Sequence, residues 1–334
     1  VTGTNGKTTT VSLTAEMLKN AGYKAAAVGN IGVPFINWCK WLGENDAAVV
    51  EVSSFQLEQS QCFCSDIATI TNITPDHIER HGTMENYIEI KKSIFKNTKE
   101  MAVMNSEEQY EVKCKKFIYS LSDENADLFV KDGIIYYRTD EELIDVISIE
   151  DLKIKGDHNI LNALCALSLA ICFSGGCSEC FADTLRKYNL PKYRIECLGE
   201  VCGMNVFNDS KGTNIGATIC AIKSMRGDTV LIMGGYDKLD DYTLFFKTLD
   251  PKIKHILLCG ANTLAVLNGA KNAEKDNIIE VFEDINSAVT NAFQYTDCNN
   301  LLFSPATSSF DVYYDYKQRG KVFEELINAK RQSQ

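Results

Sequence analysis

Apolar residues recur at the spacing of one helix face in two long segments of the chain. The first covers residues 8–21 and is followed by Gly22, a residue type that commonly ends a helix. The second covers residues 157–173, where Asp157 stands as a plausible N-cap before an Ala/Leu-rich run. A shorter helix is predicted over residues 181–188.

Short apolar or β-branched stretches alternate with these helical segments. In the first half they cover residues 25–28, 47–52 and 67–71, and this alternation predicts a parallel sheet flanked by helices. Asp132-Gly133 lies between two strand-like runs, a pattern typical of a β-hairpin.

Pro191 marks the expected domain boundary. Beyond it, strand-like residues 230–233, 253–259, 278–281 and 300–303 alternate with helical ones and predict a second doubly wound α/β unit. The predicted fold class is therefore α/β, with a central domain over residues 1–190 and a C-terminal Rossmann-like domain over residues 191–334.

The charge of the chain excludes some functions. With 34 basic and 45 acidic residues the net charge is -11, which disfavours general binding of nucleic acid. No run of about 18 apolar residues and no basic start before a hydrophobic stretch is found, so neither membrane insertion nor secretion is expected. We expect a cytoplasmic protein.

Thirteen cysteines are scattered along the chain, several of them in apolar runs. This placement favours reduced, buried thiols over a disulfide scaffold. Cys62 and Cys64 are too close for a structural zinc pair, and the pair Cys177 and Cys180 has no second pair beside it, so no zinc site is expected.

A glycine-rich segment precedes the first predicted helix. It reads Gly3, Thr4, Asn5, Gly6, Lys7, Thr8 and Thr9. Backbone N–H groups at a helix start can hold phosphate, Lys7 can neutralise it, and the Thr8 hydroxyl suits Mg²⁺. The spacing is shorter than the usual phosphate loop, and a chance Gly/Thr turn is the alternative. Such loops normally follow a buried strand, so we expect the chain to begin inside a fold.

Six strings in order along the chain resemble the Mur ligase family, which shares its ATPase core with folylpolyglutamate synthetases. They occupy residues 29–32 (Gly-Asn-Ile-Gly), 49–58, 72–77, 208–211 (Asn-Asp-Ser-Lys), 234–238 and 304–306. The resemblance covers essentially the whole chain. It implies a P-loop ATPase domain and a C-terminal amino-acid-binding domain.

The resemblance also implies a reaction, in which ATP converts a carboxylate to an acyl phosphate that an amino acid's amine then attacks. The segment 49–58 is typical of members that add D-glutamate to UDP-N-acetylmuramoyl-L-alanine during peptidoglycan precursor synthesis. The implied cofactors are ATP and Mg²⁺ at two sites, and we expect a monomer. Family members carry an N-terminal domain that grips the uridine diphosphate, and its absence here implies that this chain alone ligates weakly or not at all.

Several residues of the first domain acquire roles from this resemblance. Glu51, at a predicted strand end, and His77 are implied metal ligands together with Thr8. Lys91 matches the lysine that carbon dioxide carbamylates, which turns a cation into an anionic oxygen ligand. The adjacent Lys92 is the alternative assignment.

Four polar residues are implied to contact substrate or nucleotide. Asn30 and Ser53 would lie near the acceptor substrate and the γ-phosphate. Asn159 and Asn162 share a helix face and would contact the adenine side. Ordinary turn or strand-end capping is the alternative for Asn30 and Ser53, and helix capping is the alternative for Asn159.

The second domain is implied to bring further groups. Arg194 and Lys211 would contact the ATP phosphates and the transferred phosphate, and Asp209 the ribose or a lysine. The implied amino-acid pocket consists of Thr213, Lys238, Ser309, Phe310 and Tyr316. Lys238 is the expected partner of the glutamate side-chain carboxylate.

Other interpretations stay open. Relatives that add diaminopimelate or lysine usually carry Asp-Asn-Pro-Arg, which none of the five prolines here provides. Folate relatives usually have Gly-Ser after the loop lysine, where this chain has Thr8 and Thr9. Gly212 and the pair Thr307-Ser308 replace other small residues of the family pattern. A nucleotide-binding fragment without ligase activity is the alternative from a different functional class.

Overall fold

The computed structural model describes residues 1–31, 33–60 and 62–333, and the chain divides into two compact units, Val1–Leu190 and Pro191–Gln334. Gly32, the last residue of the Gly-Asn-Ile-Gly string, lies outside the described residues.

Unit 1 contains six helices and eight strands within its described residues. The helices are α1 Lys7–Asn20, α2 Ser54–Gln59, α3 Ile78–His81, α4 Met84–Lys92, α5 Asp157–Ser174 and α6 Glu179–Lys187. The strands are β1 Ala25–Gly29, β2 Ala47–Glu51, β3 Ser65–Thr69, β4 Thr98–Asn105, β5 Lys115–Ser120, β6 Leu128–Lys131, β7 Ile134–Arg138 and β8 Leu143–Ser148.

The strands of unit 1 are mostly parallel, as predicted. β1 pairs with β2, and a second sheet has the order β3-β4-β5-β6-β7-β8, in which β7 runs antiparallel to both of its neighbours and the other pairs are parallel. Val1 and Thr2 lie between the two sheets. Val1 bonds to Val50 and Val52 of the β2 side, and Thr2 bonds to Thr69 of β3. The chain thus passes from this central position directly into the loop before α1.

Helix α1 packs against α5 and buries its apolar face, including Val11, Leu13 and Leu18. It ends at Gly22, as predicted, in a Schellman-type C-terminal motif. Gly22 has φ 91° and Tyr23 N–H donates to Leu18 O at 2.9 Å. The helix was predicted over 8–21 and forms one residue earlier at each end.

Helix α5 is long and apolar enough to cross a membrane by length and composition alone. It is instead a core helix, since 61% of it is buried inside the protein. Asp157 was expected to be the N-cap of this helix, but it is the first helical residue. The cap position belongs to Gly156, which offers no side chain to the helix N–H groups.

Asp132 and Gly133 form the predicted hairpin turn between β6 and β7. Their φ angles of 48° and 77° are both positive, as a type I′ turn requires. Helix α4 is followed by a short 3₁₀ turn at Ser93–Phe95.

Unit 2 has one six-stranded sheet. Its strands are β9 Glu196–Val201, β10 Met204–Asn208, β11 Thr229–Met233, β12 Ile253–Leu258, β13 Ile279–Val281 and β14 Asn300–Phe303. Its helices are α7 Ile215–Ser224, α8 Thr243–Lys247, α9 Thr263–Asn272, α10 Ile285–Ala292 and α11 Tyr316–Gln332.

The sheet order is β13-β12-β11-β14-β10-β9, parallel except for the edge strand β9. Two apolar clusters cover its two faces, one containing Leu301, Phe303 and Phe323 and the other Leu231, Phe246 and Leu302. Since the ligand site of an open parallel sheet lies beyond the carboxyl ends of its strands, these ends are where unit 2 should bind ligands.

Candidate active site

The loop before α1 has the backbone of an anion site. Gly3 and Gly6 have φ angles of 145° and 84°. A Cβ on Gly6 would lie 2.2 Å from Asn162 Oδ1, and one on Gly3 would lie 2.0 Å from Thr71 Oγ1. Gly6 is the N-cap of α1 and offers no side-chain cap, and a helix start of this kind is suited to binding phosphate through its backbone N–H groups.

The side chains of this loop tie it to the β3 side. Thr4 Oγ1 donates to Thr74 O at 2.9 Å and lies 3.1 Å from the Tyr87 hydroxyl. Asn5 N–H donates to Asn72 Oδ1 at 3.0 Å. Lys7 Nζ folds back onto the loop and donates to the carbonyls of Gly3 and Thr4 at 2.8 and 2.7 Å. A lysine ammonium is therefore held at the mouth of the helix. Thr9, the last loop residue, is buried.

Glu51 meets the loop from the end of β2. Its Oε2 accepts from Thr8 Oγ1 at 2.8 Å and its Oε1 accepts from Asn30 Nδ2 at 2.9 Å. Glu51 is only 2% exposed. A buried carboxylate beside a threonine hydroxyl at a phosphate loop is the oxygen donor set that Mg²⁺ prefers, so these residues fit a magnesium ion. Thr8 and Glu51 would hold it.

Lys91 points into the same loop. Its Nζ donates to Gly3 O at 2.9 Å, and the residue is 1% exposed. Burial and then the nearby charge of Lys7 lower the pKa of Lys91 to about 7, against the opposite effect of Asp76. Lys92 instead pairs with Glu89 on the surface at 2.9 Å. Of the two lysines, Lys91 is the one that the fold directs to the loop.

His77 lies at the turn that follows β3, as the N-cap residue of α3. It has φ 55°, and its ring lies 4.9 Å from that of Phe55. Its Nε2 is 3.7 Å from Asp76 Oδ2 and its Nδ1 is 3.7 Å from Glu79 Oε1. Asp76 was not singled out from the sequence, although it stands inside the string at residues 72–77. Its carboxylate lies beside His77 and close enough to Lys91 to raise that lysine's pKa.

The remaining polar candidates of unit 1 divide into two groups. Asn162 lies against Gly6, and its Nδ2 is 3.5 Å from Asn159 Oδ1, so this pair shares one face at the loop. Ser53 caps α2, since its Oγ accepts from Gln56 N–H at 3.3 Å in a capping box. The capping alternative therefore describes the contacts of Ser53 in this structure.

In unit 2 the motif loops follow three neighbouring parallel strands. The string 208–211 follows β10, 234–238 follows β11 and 304–306 follows β14. Asp209 is 5% exposed and accepts from Ser304 Oγ at 2.7 Å and from Ile195 N–H at 3.2 Å. Burial raises the pKa of Asp209 to about 7, although the Ser304 hydrogen bond and the charge of Arg194 lower it. Within the described part of the chain, the buried Nε of Arg194 has no hydrogen-bond partner.

The structure brings only some of the residues of the predicted amino-acid pocket together. Lys211 Nζ donates to the Tyr316 hydroxyl at 3.1 Å, and Lys238 Nζ donates to Thr213 O at 3.0 Å. Ser309 is buried, whereas Phe310 is 67% exposed.

Arg319 in α11 was missed in the sequence and lies at the centre of these loops. Its guanidinium donates to Ser210 O, Thr307 O and Ser308 O at 2.9–3.0 Å, and to Ser210 Oγ at 3.2 Å. It is 2% exposed, and burial lowers its pKa to about 10. Arg319 therefore ties the loop after β10 to the loop after β14.

Gly212 fits tightly into the same region. A Cβ there would lie 2.4 Å from Asp209 Oδ2 and 2.7 Å from Ser304 Oγ. Gly212, one of the positions that depart from the family pattern, therefore has no room for a side chain in this conformation.

Comparisons with known proteins agree with this arrangement. Residues 1–170 match the Mur ligase middle domain, and residues 193–303 match the Mur ligase glutamate ligase domain. UDP-N-acetylmuramoylalanine–D-glutamate ligase of Thermoanaerobacter sp. strain X514 is 38% identical over 98% of this chain and 74% of its own length. The ligase of the same name from Caldanaerobacter subterraneus subsp. tengcongensis is 39% identical with the same coverage.

Solved structures share the fold at low identity. MurF from Acinetobacter baumannii has a TM-score of 0.72 at 18% identity, covering 97% of this chain and 75% of its own. Folylpolyglutamate synthase of Mycobacterium tuberculosis, solved with ADP, has a TM-score of 0.72 at 13% identity, with 97% and 89% covered. These similarities confirm the predicted fold class.

Proposed function

We infer, from the premise that this chain belongs to the Mur ligase family, that it is an ATP-dependent ligase which adds D-glutamate to UDP-N-acetylmuramoyl-L-alanine in peptidoglycan precursor synthesis. One observation carries the chemical part of this proposal. Thr8, Glu51, Lys7 and Lys91 converge on one phosphate loop, where Thr8 contacts Glu51 at 2.8 Å and Lys91 contacts Gly3 at 2.9 Å.

Charge neutralisation is the main task of such a site, because a triphosphate and a carboxylate must approach each other. We propose that the α1 N-terminus and Lys7 bind the phosphates and that Thr8 and Glu51 hold magnesium. When bound, the metal would supply positive charge against the phosphate oxygens. Asn30 would orient Glu51, since it donates to Oε1 at 2.9 Å.

We further propose a second magnesium site that uses His77 and a carbamylated Lys91. The support for the carbamate is that carbon dioxide reacts with a neutral amine, and that burial lowers the pKa of Lys91 to about 7. The neighbouring carboxylate of Asp76 would complete the oxygen donors. Asn162, which lies against Gly6, and its neighbour Asn159 are proposed to contact the adenine side of ATP.

In unit 2 we propose that Lys238 binds the glutamate side-chain carboxylate and that Lys211 stabilises the transferred phosphate. Arg194 would contact the ATP phosphates, which accords with its buried, unpartnered Nε among the described residues. Asp209 is proposed to contact the ribose or a lysine. Thr213, Ser309, Phe310 and Tyr316 would complete the amino-acid pocket.

The experiment is ligation with UDP-N-acetylmuramoyl-L-alanine whose carboxylate carries ¹⁸O. We expect an amide product detected by mass with D-glutamate, none with L-lysine, and one ¹⁸O transferred to the released phosphate. Transfer of ¹⁸O is required because the carboxylate oxygen leaves with phosphate when the amine attacks the acyl phosphate. Unlabelled phosphate, or equal product with L-lysine, would overturn the proposal.

A further inference from the structure

Unit 2 gathers three metal-binding side chains away from the motif loops. Ligand atoms of His255, Asp297 and Cys298 all lie within 4.8 Å of one another. His255 stands near the start of β12, and Asp297 and Cys298 directly precede β14. These positions are at the amino ends of the parallel strands, whereas the motif loops are at their carboxyl ends.

We propose that His255, Asp297 and Cys298 form a zinc site. Zinc binds imidazole nitrogen, carboxylate oxygen and thiolate sulfur at ~2.0–2.3 Å in a tetrahedron, which separates the ligand atoms by roughly 3.3–3.8 Å. His255 Nε2 and Asp297 Oδ2 are already 3.4 Å apart. A mixed nitrogen, oxygen and sulfur set selects zinc over magnesium or calcium, and a water takes the fourth position.

The surrounding residues hold these ligands in place. The Tyr295 ring stacks on His255, with centroids 4.1 Å apart and planes at 26°. Tyr295 O accepts from Cys298 N–H at 3.1 Å, and the Tyr295 hydroxyl donates to Glu280 at 2.7 Å. One aromatic residue therefore restrains both the imidazole and the turn that carries the thiol.

Access and charge also suit a cation. Cys298 is 5% exposed, whereas the Asp297 side chain is 65% exposed, so the ion enters from the carboxylate side. The nearby cation Lys254 lies 3.5 Å from Asp228, which offsets its charge. On binding, the Cys298 thiol releases its proton to solvent and the zinc–sulfur bond forms without any oxidant. The ion would join β12 to the turn before β14 and stabilise unit 2.

Cobalt(II) titration of the reduced full chain tests this site, because a thiolate–cobalt charge-transfer band reports a cysteine ligand. We expect one equivalent of tight binding with tetrahedral ligand-field bands, displaced by zinc. Cys298→Ala should abolish the charge-transfer band, and Asp297→Asn and His255→Gln should each weaken affinity at least tenfold. Zinc should raise the melting temperature of the wild type and not that of His255→Gln.

Two matched variants serve as controls. Cys197→Ala removes an exposed thiol of the same unit, and Glu283→Gln removes an exposed carboxylate at the opposite, carboxyl end of its sheet. Both should keep the band and the affinity. If Cys298→Ala fails to fold by circular dichroism, the exposed Asp297→Asn decides by its affinity alone. An unchanged affinity in Asp297→Asn and His255→Gln, a band lost in Cys197→Ala, or no stoichiometric binding would each overturn the proposal.

Discussion

At the scale of single residues, Lys91 has the most unusual environment. An amine that is 1% exposed, beside the charge of Lys7, is held in a position where its protonated form is disfavoured. Few other positions of unit 1 combine a long cationic side chain with full burial. Its ionisation therefore couples the stability of the fold to the chemistry of the loop.

The stability of the protein should depend on pH through this lysine. The pKa of Lys91 is about 7 in the folded state against the ordinary lysine value of 10.5, so the unfolded state binds more protons between these values. The contribution of this group to the free energy of unfolding therefore rises with pH across this window. It is lowest at pH values below the window. Lys91→Met should remove that part of the slope, as thermal melting over this pH window can measure. Lys92→Met, which alters a surface lysine, should leave the slope unchanged; an equal effect of both would contradict the assignment.

The carbamate proposal makes a separate prediction at the same residue. Lys91→Ala should lose most of the ligase activity, and short carboxylic acids should restore part of it because they place an anionic oxygen ligand in the vacated space. The measurement is the initial rate with increasing formate or acetate, with Glu51→Gln as the control that these acids should not rescue. Absence of rescue in a folded Lys91→Ala protein would count against the carbamate.

At the scale of elements, both units place their functional groups beyond the ends of three neighbouring parallel segments. In unit 1 these are β2, the Val1–Thr2 segment and β3, and in unit 2 they are β11, β14 and β10. The start of α1 lies at such an end. The loop before α1 needs glycine at position 6 because a side chain there would collide with Asn162. This collision can be tested separately from the strain of a positive φ.

Gly6→Ala and Gly22→Ala form a matched pair at the two ends of α1. Both residues have positive φ, 84° and 91°, but a Cβ meets Asn162 at 2.2 Å in the first and nothing within 4 Å in the second. Gly22→Ala should cost about 1 kcal/mol from strain alone. Gly6→Ala should cost ~1–3 kcal/mol more and should also weaken nucleotide binding. Urea unfolding and nucleotide titration measure these effects, and equal losses in the two variants would argue against steric exclusion.

Arg319 allows a second test at this scale. Arg319→Lys keeps the charge but cannot reproduce a planar group that donates to Ser210, Thr307 and Ser308 together. We expect ~3–5 kcal/mol of destabilisation, typical of breaking a buried charged network, and a raised KM for D-glutamate. Arg331→Lys at the exposed end of α11 is the matched control. A KM that does not change in a folded Arg319→Lys protein would show that the arginine does not position the loops.

Much of this architecture was predictable from the sequence, and the exceptions have physical causes. Periodicity and turn residues indicated nine of the strands, the hairpin at Asp132-Gly133 and the stop at Gly22, because these depend on local conformation. They did not indicate β4, β5, β8, β9 and β10. Arg319 escaped notice because its partners are backbone carbonyls of loops distant in sequence. Asp157 is of a residue type common at caps, but the helix begins at Asp157 itself and Gly156, with φ 91°, occupies the cap position.

At the scale of the whole molecule, the two units present two different kinds of site. Unit 1 offers a helix start, lysines and a buried carboxylate, which suit phosphate and magnesium. Unit 2 offers lysines held by a tyrosine hydroxyl and a backbone carbonyl, which suit an anionic amino acid. The proposed ligation depends first on unit 1, since the carboxylate can be activated only if the loop before α1 binds ATP.

The most direct measurement is therefore the affinity of the chain for Mg-ATP by calorimetry, compared among the wild type, Lys7→Ala, Glu51→Gln and the surface control Lys92→Ala. We predict that the wild type and Lys92→Ala bind equally, that Lys7→Ala binds at least tenfold more weakly, and that Glu51→Gln loses the dependence of affinity on magnesium. Equal affinity in Lys7→Ala and wild type, or binding by Glu51→Gln with unchanged magnesium dependence, would contradict the central claim.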